Sequence, residues 1–305
     1  MSSDIVIIPS YYRPDYLQCC LENILAADGG YQKEIWVSND AHPGDADKYK
    51  KEWGELHEVA KRFTAEFEHF TFFSPASHSY EGNSYNLLEA YRKAYPTTAK
   101  YVYLIEDDVL ITPDFFRWHE AIQERGDYLA SVGWACIRNP KVPKEGSAAD
   151  YIESSRDYSS IGVCWKRKNL QVLVEHANPD YYRNPAVYLG QKFPGNVIPF
   201  GKWTEQDGLI MRILLQTPDK YTVAWPVRMR ANHIGIQGYH RPHGHKFSDT
   251  VQERTAEIRK MASSVEEMKK LSGDPFGDVL GQPEIGPWQK EDLRCVGNFV
   301  WDGQA

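Results

Sequence analysis

A short strand that runs straight into three acids is the feature that most constrains this chain. Tyr101-Val-Tyr-Leu-Ile105 is apolar or aromatic throughout, and Glu106, Asp107 and Asp108 follow without a break before Val109. Such a run reads as a strand buried on both faces. Carboxylates packed at its end repel one another, and burial raises their pKa. A divalent cation is the simplest offset, and hard oxygen ligands suit Mg²⁺ or Mn²⁺. Residues two apart on a strand share a side, so Glu106 and Asp108 are expected to face one cleft and Asp107 to face away. The alternative is a solvated turn after a strand.

The preceding sequence supports the cleft. Ile5-Val-Ile-Ile8 is a strand, Pro9 to Pro14 a turn, and Asp15 caps a helix carrying Leu17, Leu21, Ile24 and Leu25. Glu34 to Ser38 is a second strand, ending at Asn39 and Asp40. This is a right-handed β-α-β unit, and ligands of such sheets bind beyond the carboxyl ends of the strands. The loops at Ser10–Arg13 and Asn39–His42 therefore belong beside Glu106–Asp108. One surface helix is expected over Asp45–Glu68, a strand over Phe70–Phe73, and a helix over Asn83–Tyr95 whose first amides suit phosphate.

Beyond the acids, Thr112 caps a helix with Pro113 at its first position. Strands are expected over Leu129–Trp134 and Ser160–Trp165, a loop over Asn139–Asp157, and a helix over Asn169–His176. Pro179–Gly201, rich in Pro and aromatic residues, reads as an acceptor wall. Thr204–Leu215 is helical, Val223–Arg230 extended, and Asn232–His245 a loop with four of the ten histidines. Val251, Ile258, Met261, Val265, Met268 and Leu271 form a stripe that predicts a helix docked on the domain.

Composition weakens several classes without excluding a local basic groove. The net charge of −7 gives no overall basic field for nucleic acid or anionic lipid. Five cysteines without a CxxC pair suit a reducing compartment. No apolar run reaches the ~20 residues of a membrane helix, and Met1 to Val6 carries no basic start of a signal peptide. The expectation is a soluble cytoplasmic protein without an integral membrane segment.

Taken in order, these segments resemble the large, mostly inverting, family-two-like glycosyltransferases of the GT-A fold, over roughly residues 4–244. Ile5 to Pro14 resembles that family's first strand and nucleotide loop, with Ser10, Tyr12 and Arg13 as nucleotide contacts. Val37-Ser-Asn-Asp40 resembles the second strand, which usually ends in two acids; Asn39 replaces one, leaving the base contact mainly to Asp40. Gly82-Asn-Ser-Tyr-Asn86 resembles the segment that closes over the nucleotide, through Asn83 and Asn86. Glu106-Asp-Asp108 resembles the metal-binding DxD element. The resemblance implies that Asp108 binds the cation, that Glu106 binds the ribose or assists the metal, and that Asp107 adds to the nucleotide site.

Thr204 to Arg212 resembles the acidic motif that supplies the base, with Gln206 at its second acidic place. Either Asp207 or Glu205 is then the base; Asp207 is favoured, with Glu205 orienting the acceptor. Pro226 to Gly235 resembles the late strand whose His completes the metal site. His233 is chosen, with His240, His243 and His245 as competitors, and Arg228, Arg230 or Arg241 as phosphate contacts.

The implied fold is α/β: a Rossmann-like, mostly parallel central sheet flanked by helices. It forms a single large domain, 1–247, with a nucleotide-sugar half at 1–110 and an acceptor half at 111–247. A C-terminal helix and tail at 248–305 pack on it. The implied activity is inverting transfer from a nucleotide-sugar, UDP-linked, with Mn²⁺ or Mg²⁺, to a saccharide or glycoconjugate. Two alternatives stand below it. Transfer to hydroxymethylated bases in DNA is suggested by Arg138, Lys141, Lys144, Lys166, Arg167 and Lys168 with Trp134, Trp165, Tyr181 and Tyr182, all placed on the acceptor side. A sugar nucleotidyltransferase would want a Gly-rich, basic first loop, which Ser10-Tyr-Tyr-Arg-Pro14 is not.

Overall fold

The computed structural model describes residues 3–73, 78–80, 83–134, 151–155, 158–195, 205–226, 230–233 and 250–262. From the N-terminus run β1 (Ile5–Ser10), α1 (Pro14–Ala26), β2 (Glu34–Asn39), α2 (Asp45–Lys48), α3 (Lys50–Phe63), β3 (His69–Phe73) and α4 (Ser84–Ala94). Then come β4 (Tyr101–Leu104), β5 (Val109–Ile111), α5 (Phe115–Arg125), β6 (Ala130–Val132), β7 (Tyr151–Ser154) and β8 (Val163–Lys166). The rest is α6 (Gln171–Val174), α7 (Pro179–Arg183), α8 (Pro185–Lys192), α9 (Gln206–Gln216), β9 (Val223–Pro226), β10 (Ala231–His233) and α10 (Val251–Ala262).

One sheet of eight strands has the order β3-β2-β1-β4-β8-β6-β9-β7, and β5 and β10 form a separate antiparallel pair. The first four strands are all parallel, as the β-α-β reading requires. The second half is mixed: β8 runs antiparallel to both β4 and β6, and β7 antiparallel to β9. Only β6 and β9 pair in parallel there.

Both faces of the sheet are covered, which is why its central strands are unbroken apolar runs. Along β1 the side chains alternate. Ile5 and Ile7 enter the core with Leu87 and Tyr91 of α4 and Trp165 of β8, while Val6 and Ile8 enter the opposite core with Leu17 and Leu21 of α1 and Phe115 and Phe116 of α5.

Several boundaries differ from the expectation for local reasons. Pro14 takes the first position of α1, with Arg13 at the N-cap and Asp15 inside the first turn, because proline's fixed φ and missing N–H suit that place. Asp114, not Thr112, precedes α5. The helix expected over Asp45–Glu68 breaks at Tyr49 into α2 and α3. Residues 151–154 of the expected loop form the edge strand β7, and the aromatic stretch after Pro179 forms α7 and α8.

α10 packs against α1. Thr255 Oγ1 donates to the Asp15 carbonyl at 3.3 Å, and Arg254 lies 2.8 Å from Glu55 and 3.8 Å from Asp15. The stripe from Val265 onward lies outside the described residues. Among the described residues no helix is long and apolar enough to cross a membrane.

Candidate active site

The carboxyl ends of β1, β2 and β4 meet at one edge of the sheet, and the three acids lie there. They sit in the turn between β4 and β5 rather than on the strand itself, closed by the Val109 N–H donating to the Glu106 carbonyl at 2.9 Å. Asp107 and Asp108 share Arg13, and Asp108 alone of the two also lies with Glu106 and His233. Asp107 has no accessible surface (0%) and points back into the first loop. It accepts from Ser10 Oγ at 2.7 Å and from Arg13 Nε at 3.2 Å, and a second Arg13 nitrogen grips its other oxygen. Burial lifts its carboxyl to about 6 against the pull of Arg13.

Asp108 and Glu106 point the other way, toward β10. β5 pairs with β10 so that Val109 faces His233 and Ile111 faces Ala231. This register brings His233 Nε2 within 3.3 Å of Asp108 Oδ2, and the ligand atoms of Glu106, Asp108 and His233 all lie within 4.8 Å of one another. Burial pushes the Asp108 carboxyl up, but Arg13 and then His233 outweigh it and hold the group well below the usual range. Burial, then Asp108 and Asp207, drive Glu106 well above its ordinary value, although part of its surface stays open.

The donor set fits a divalent cation. Two atoms bound at about 2.1 Å to one ion lie about 3 Å apart at a right angle. Asp108 and His233 already have nearly that separation, and Asp108 Oδ1 is buried with no hydrogen-bond partner. A buried, unsatisfied carboxylate oxygen is costly unless something electropositive meets it.

A tight crossing positions β10. Gly162 has φ +62°, and a Cβ there would come 2.4 Å from Ala231 Cβ and 3.0 Å from the Phe115 ring. Arg230, expected to meet phosphate, is instead buried against Asp114 at 3.1 Å and braces the other end of the β5–β10 pair. Arg228, Arg241, His240, His243 and His245 lie outside the described residues.

On the donor side, side chains divide into those that face the cleft and those that build it. Asn39 is fully buried; its Oδ1 accepts from the Tyr12 N–H at 3.0 Å and its Nδ2 donates to the Asp40 carbonyl at 2.8 Å. It thereby holds Tyr12 at φ +51°, a conformation uncommon outside glycine and a stored strain at the loop. The Tyr12 ring stacks on Tyr49 at 4.8 Å. Asn86 is tied to Ser38, donating to its carbonyl at 3.0 Å and accepting from its hydroxyl at 2.5 Å. Asn83, beside α4, keeps a buried Oδ1 without a partner. Gly82 lies outside the described residues.

Asp40 has a partner that its local sequence does not reveal. His78 Nε2 lies 2.5 Å from Asp40 Oδ1, while the Tyr80 N–H donates to His78 Nδ1 at 3.2 Å. The ring proton therefore sits on Nε2 and points at the carboxylate. His42 approaches the other oxygen at 3.7 Å, so Asp40, His42 and His78 form a second compact group.

Across the cleft, Glu205 is the N-cap of α9 and Asp207 lies in its first turn. Ser160 Oγ reaches Asp207 Oδ2 at 3.5 Å, and Asp207 Oδ1 is buried without a partner. Burial, then Glu205, push the Asp207 carboxyl up to about 7 against Ser160. Leu209 is buried in the core, and Arg212 donates to the Gly208 carbonyl at 3.0 Å, so both serve the helix. Tyr91 and Tyr158, both buried, lie close enough to Asp207 and Glu106 to feel both charges. Local pattern gave no signal for Ser160, Tyr91 or Tyr158, whose proximity is purely tertiary.

Of the basic residues expected on the acceptor side, Lys166, Arg167 and Lys168 lie away from the acids. Because β8 runs antiparallel, Lys166 pairs with Tyr101 at the start of β4, about 10 Å along the strand from Leu104 at ~3.3 Å per residue. Lys166 donates to the Gly126 carbonyl, Arg167 to the Ala99 and Tyr95 carbonyls, and Lys168 to Asp127. Trp165 and Tyr181 have no exposed surface and Tyr182 is buried; Trp134 is partly open. Arg138, Lys141 and Lys144 lie outside the described residues.

No protein-family model matches the chain, and no curated protein matches its sequence. Solved structures do. Residues 1–349 of S. aureus TarS with UDP-GlcNAc superpose with a TM-score of 0.51 at 12% identity, over 89% of this chain and 70% of that one. The mannosyltransferase PcManGT of Pyrobaculum calidifontis, with GDP-Man and Mn²⁺, gives 0.45 at 16% identity, over 91% and 67%. Taken with the parallel first half of the sheet and the TarS superposition, the chain has the GT-A-type fold of glycosyltransferases.

Proposed function

We propose that the chain is a glycosyltransferase that moves a sugar from a nucleotide-sugar, with UDP as carrier, to an acceptor hydroxyl with inversion. The observation that carries this reading is the arrangement of Asp108 with His233 on one wall and Asp207 on the facing helix, at the carboxyl ends of the parallel strands. The TarS structure that superposes on this chain has UDP-GlcNAc bound.

Asp108 and His233 hold a Mn²⁺ or Mg²⁺ ion, with Glu106 beside them on the ribose or the metal. The ion, when bound, stabilises the negative charge of the departing diphosphate. Asp40 with His78 meets the base, and Arg13, Tyr12 and Asn83 line the nucleotide loop. Ser10, Asn39, Asn86 and Asp107 work from behind, fixing those groups. Asp207 takes the proton of the acceptor hydroxyl. A carboxyl near 7 is a stronger base than an ordinary aspartate and is still substantially ionised at neutral pH. Glu205, at the helix start, orients the acceptor. A base on the face opposite the leaving group gives direct displacement, hence inversion.

The donor half is 1–110 and the acceptor half 111–247, with 248–305 packed on them; His233 then reaches from the acceptor half into the metal site. The acceptor is a saccharide or glycoconjugate. The basic run Lys166–Lys168, which supported a DNA acceptor, faces the wrong end of the sheet. Buried thiols at Cys19, Cys20 and Cys164 suit a cytoplasmic protein.

The test is incubation with a panel of nucleotide-sugars, Mn²⁺ and saccharide acceptors, reading released nucleoside diphosphate and the anomeric configuration of the product. Acceptor-dependent release with an inverted product supports the proposal. A retained configuration removes the inverting mechanism. Pyrophosphate release from a nucleoside triphosphate and a sugar phosphate identifies a nucleotidyltransferase instead.

A further inference from the structure

We infer that Arg13 is a built-in rival of the divalent cation: its guanidinium holds the Asp108 oxygen that lies nearest His233, and an ion that takes that oxygen displaces the contact. The inference rests on the reading of Asp108 and His233 as the cation site.

Arg13 has two kinds of contact, and they differ in how easily they break. Its Nε and one terminal nitrogen grip both oxygens of Asp107, and Ser10 Oγ braces the same carboxylate at 2.7 Å. The base of the side chain is also fixed: Arg13 caps α1, and its guanidinium lies 5.2 Å from the Tyr16 ring centroid. The remaining terminal nitrogen reaches across to Asp108 Oδ2 at 2.7 Å. His233 Nε2 approaches that same oxygen at 3.3 Å, while Oδ1 is left without a partner.

A cation shared by Asp108 and His233 would therefore compete with Arg13 for Oδ2 and repel its positive charge. Yielding is possible because Arg13 keeps its fork on Asp107. Among the described residues one charge-assisted hydrogen bond to Asp108 is exchanged, and neither Arg13 nor Asp107 is left as an unpaired buried charge. The adjacent acids thus have separate tasks. Asp107 anchors the arginine permanently, and Asp108 is passed from arginine to metal. Arg13 also offsets part of the acid turn's charge before an ion arrives. A site with such an internal counter-ion binds the bare ion more weakly than its ligands alone would allow.

The experiment measures Mn²⁺ binding by electron paramagnetic resonance, without nucleotide, in the full chain and in Arg13→Met. The variant is expected to bind Mn²⁺ about tenfold more tightly, the scale of one charge-assisted hydrogen bond. Its thermal midpoint without metal should fall, and Mn²⁺ should restore more of it than in the parent protein. If Arg13→Met does not fold, Arg13→Gln keeps a donor to Asp107 without the charge and should shift the affinity in the same direction by less. Unchanged or weaker Mn²⁺ binding in a folded variant, with clear binding in the parent, overturns this inference and leaves the cation site standing. No Mn²⁺ binding in the parent or either variant overturns both.

Discussion

His233 stands across the β5–β10 pair from Val109, which puts its Nε2 3.3 Å from the carboxylate of Asp108, the residue just before that strand. A three-residue pairing thus brings a histidine from the late part of the chain to the acid turn. If the pair is a cation site, Asp108→Asn should remove Mn²⁺ binding and turnover together. His233→Ala should weaken Mn²⁺ binding at least about tenfold, since even a supporting residue behind a ligand commonly costs 10–100-fold. Titration of Mn²⁺ against each variant checks both. Full activity in excess EDTA would remove the metal from the mechanism.

Asp207→Asn should lower kcat by on the order of 10²–10⁴-fold, the usual loss of a general base, while donor affinity stays nearly unchanged. The separation follows from geometry: Asp207 stands on α9, and the donor contacts stand on the loops after β1, β2 and β4. Kinetics with donor-binding measurements on Asp207→Asn and Glu205→Gln decide the assignment. A dead Glu205→Gln beside an active Asp207→Asn would exchange the two roles.

The same carboxyl predicts two opposite pH effects. As a base it must be ionised, so kcat should fall as pH drops through about 7. For stability the sign reverses. The folded protein holds this proton more tightly than the unfolded chain, whose aspartates titrate near ~4. Stability from this group is therefore full below about 4 and lost as pH rises to about 7. Asp207→Asn has no charge to bury, so its thermal midpoint should exceed that of the parent at pH 8 by more than at pH 5. An equal difference at both values would mean that burial does not strain this group.

The crossing at Gly162 should matter to the metal site without touching it. Gly162→Ala adds a methyl 2.4 Å from Ala231 Cβ at a backbone φ of +62°, so strand β10 must shift. Overpacking of this kind costs typically about 1–3 kcal/mol. The variant should lose stability and Mn²⁺ affinity together, as measured by denaturant unfolding and Mn²⁺ titration. A stability loss with unchanged affinity would show that β10 does not carry its histidine with it.

The parallel half of the sheet and the acid turn were legible because they rest on local signals: unbroken apolar runs, a helical stripe between the first two strands, and charge at a strand end. What was not legible depends on partners distant in sequence. Ser10, Asn39 and Asn86 have the residue types of ligand contacts, but packing turns them onto Asp107, Tyr12 and Ser38. His78 shows no pattern, and only the fold brings it to Asp40. β5, β7 and β10 are three or four residues long, too short for periodicity to reveal, yet the β5–β10 pair is what brings His233 to Asp108. Strand direction was also hidden, and for β8 it reversed a functional expectation.

That reversal leads to the acceptor. A DNA acceptor needs cations along the backbone path beside the cleft, because phosphate contacts supply most of the affinity and its salt dependence. Lys166, Arg167 and Lys168 sit at the start of β4 and are taken up by carbonyls and Asp127, at the far end of the sheet from Asp108. Trp165 and Tyr181, the aromatic partners for an extruded base, have no exposed surface. The facing groups are instead acids: Glu106, Glu205 and Asp207 are each partly open. Carboxylates repel a phosphate backbone and accept hydrogen bonds from sugar hydroxyls. The chain should therefore transfer sugar to a member of a neutral saccharide panel and not to hydroxymethylcytosine DNA offered with the same donor. It should also show no DNA binding that weakens with salt. Transfer to the DNA that disappears when the hydroxymethyl group is absent would overturn this assignment and require a basic path to the cleft from residues outside those described.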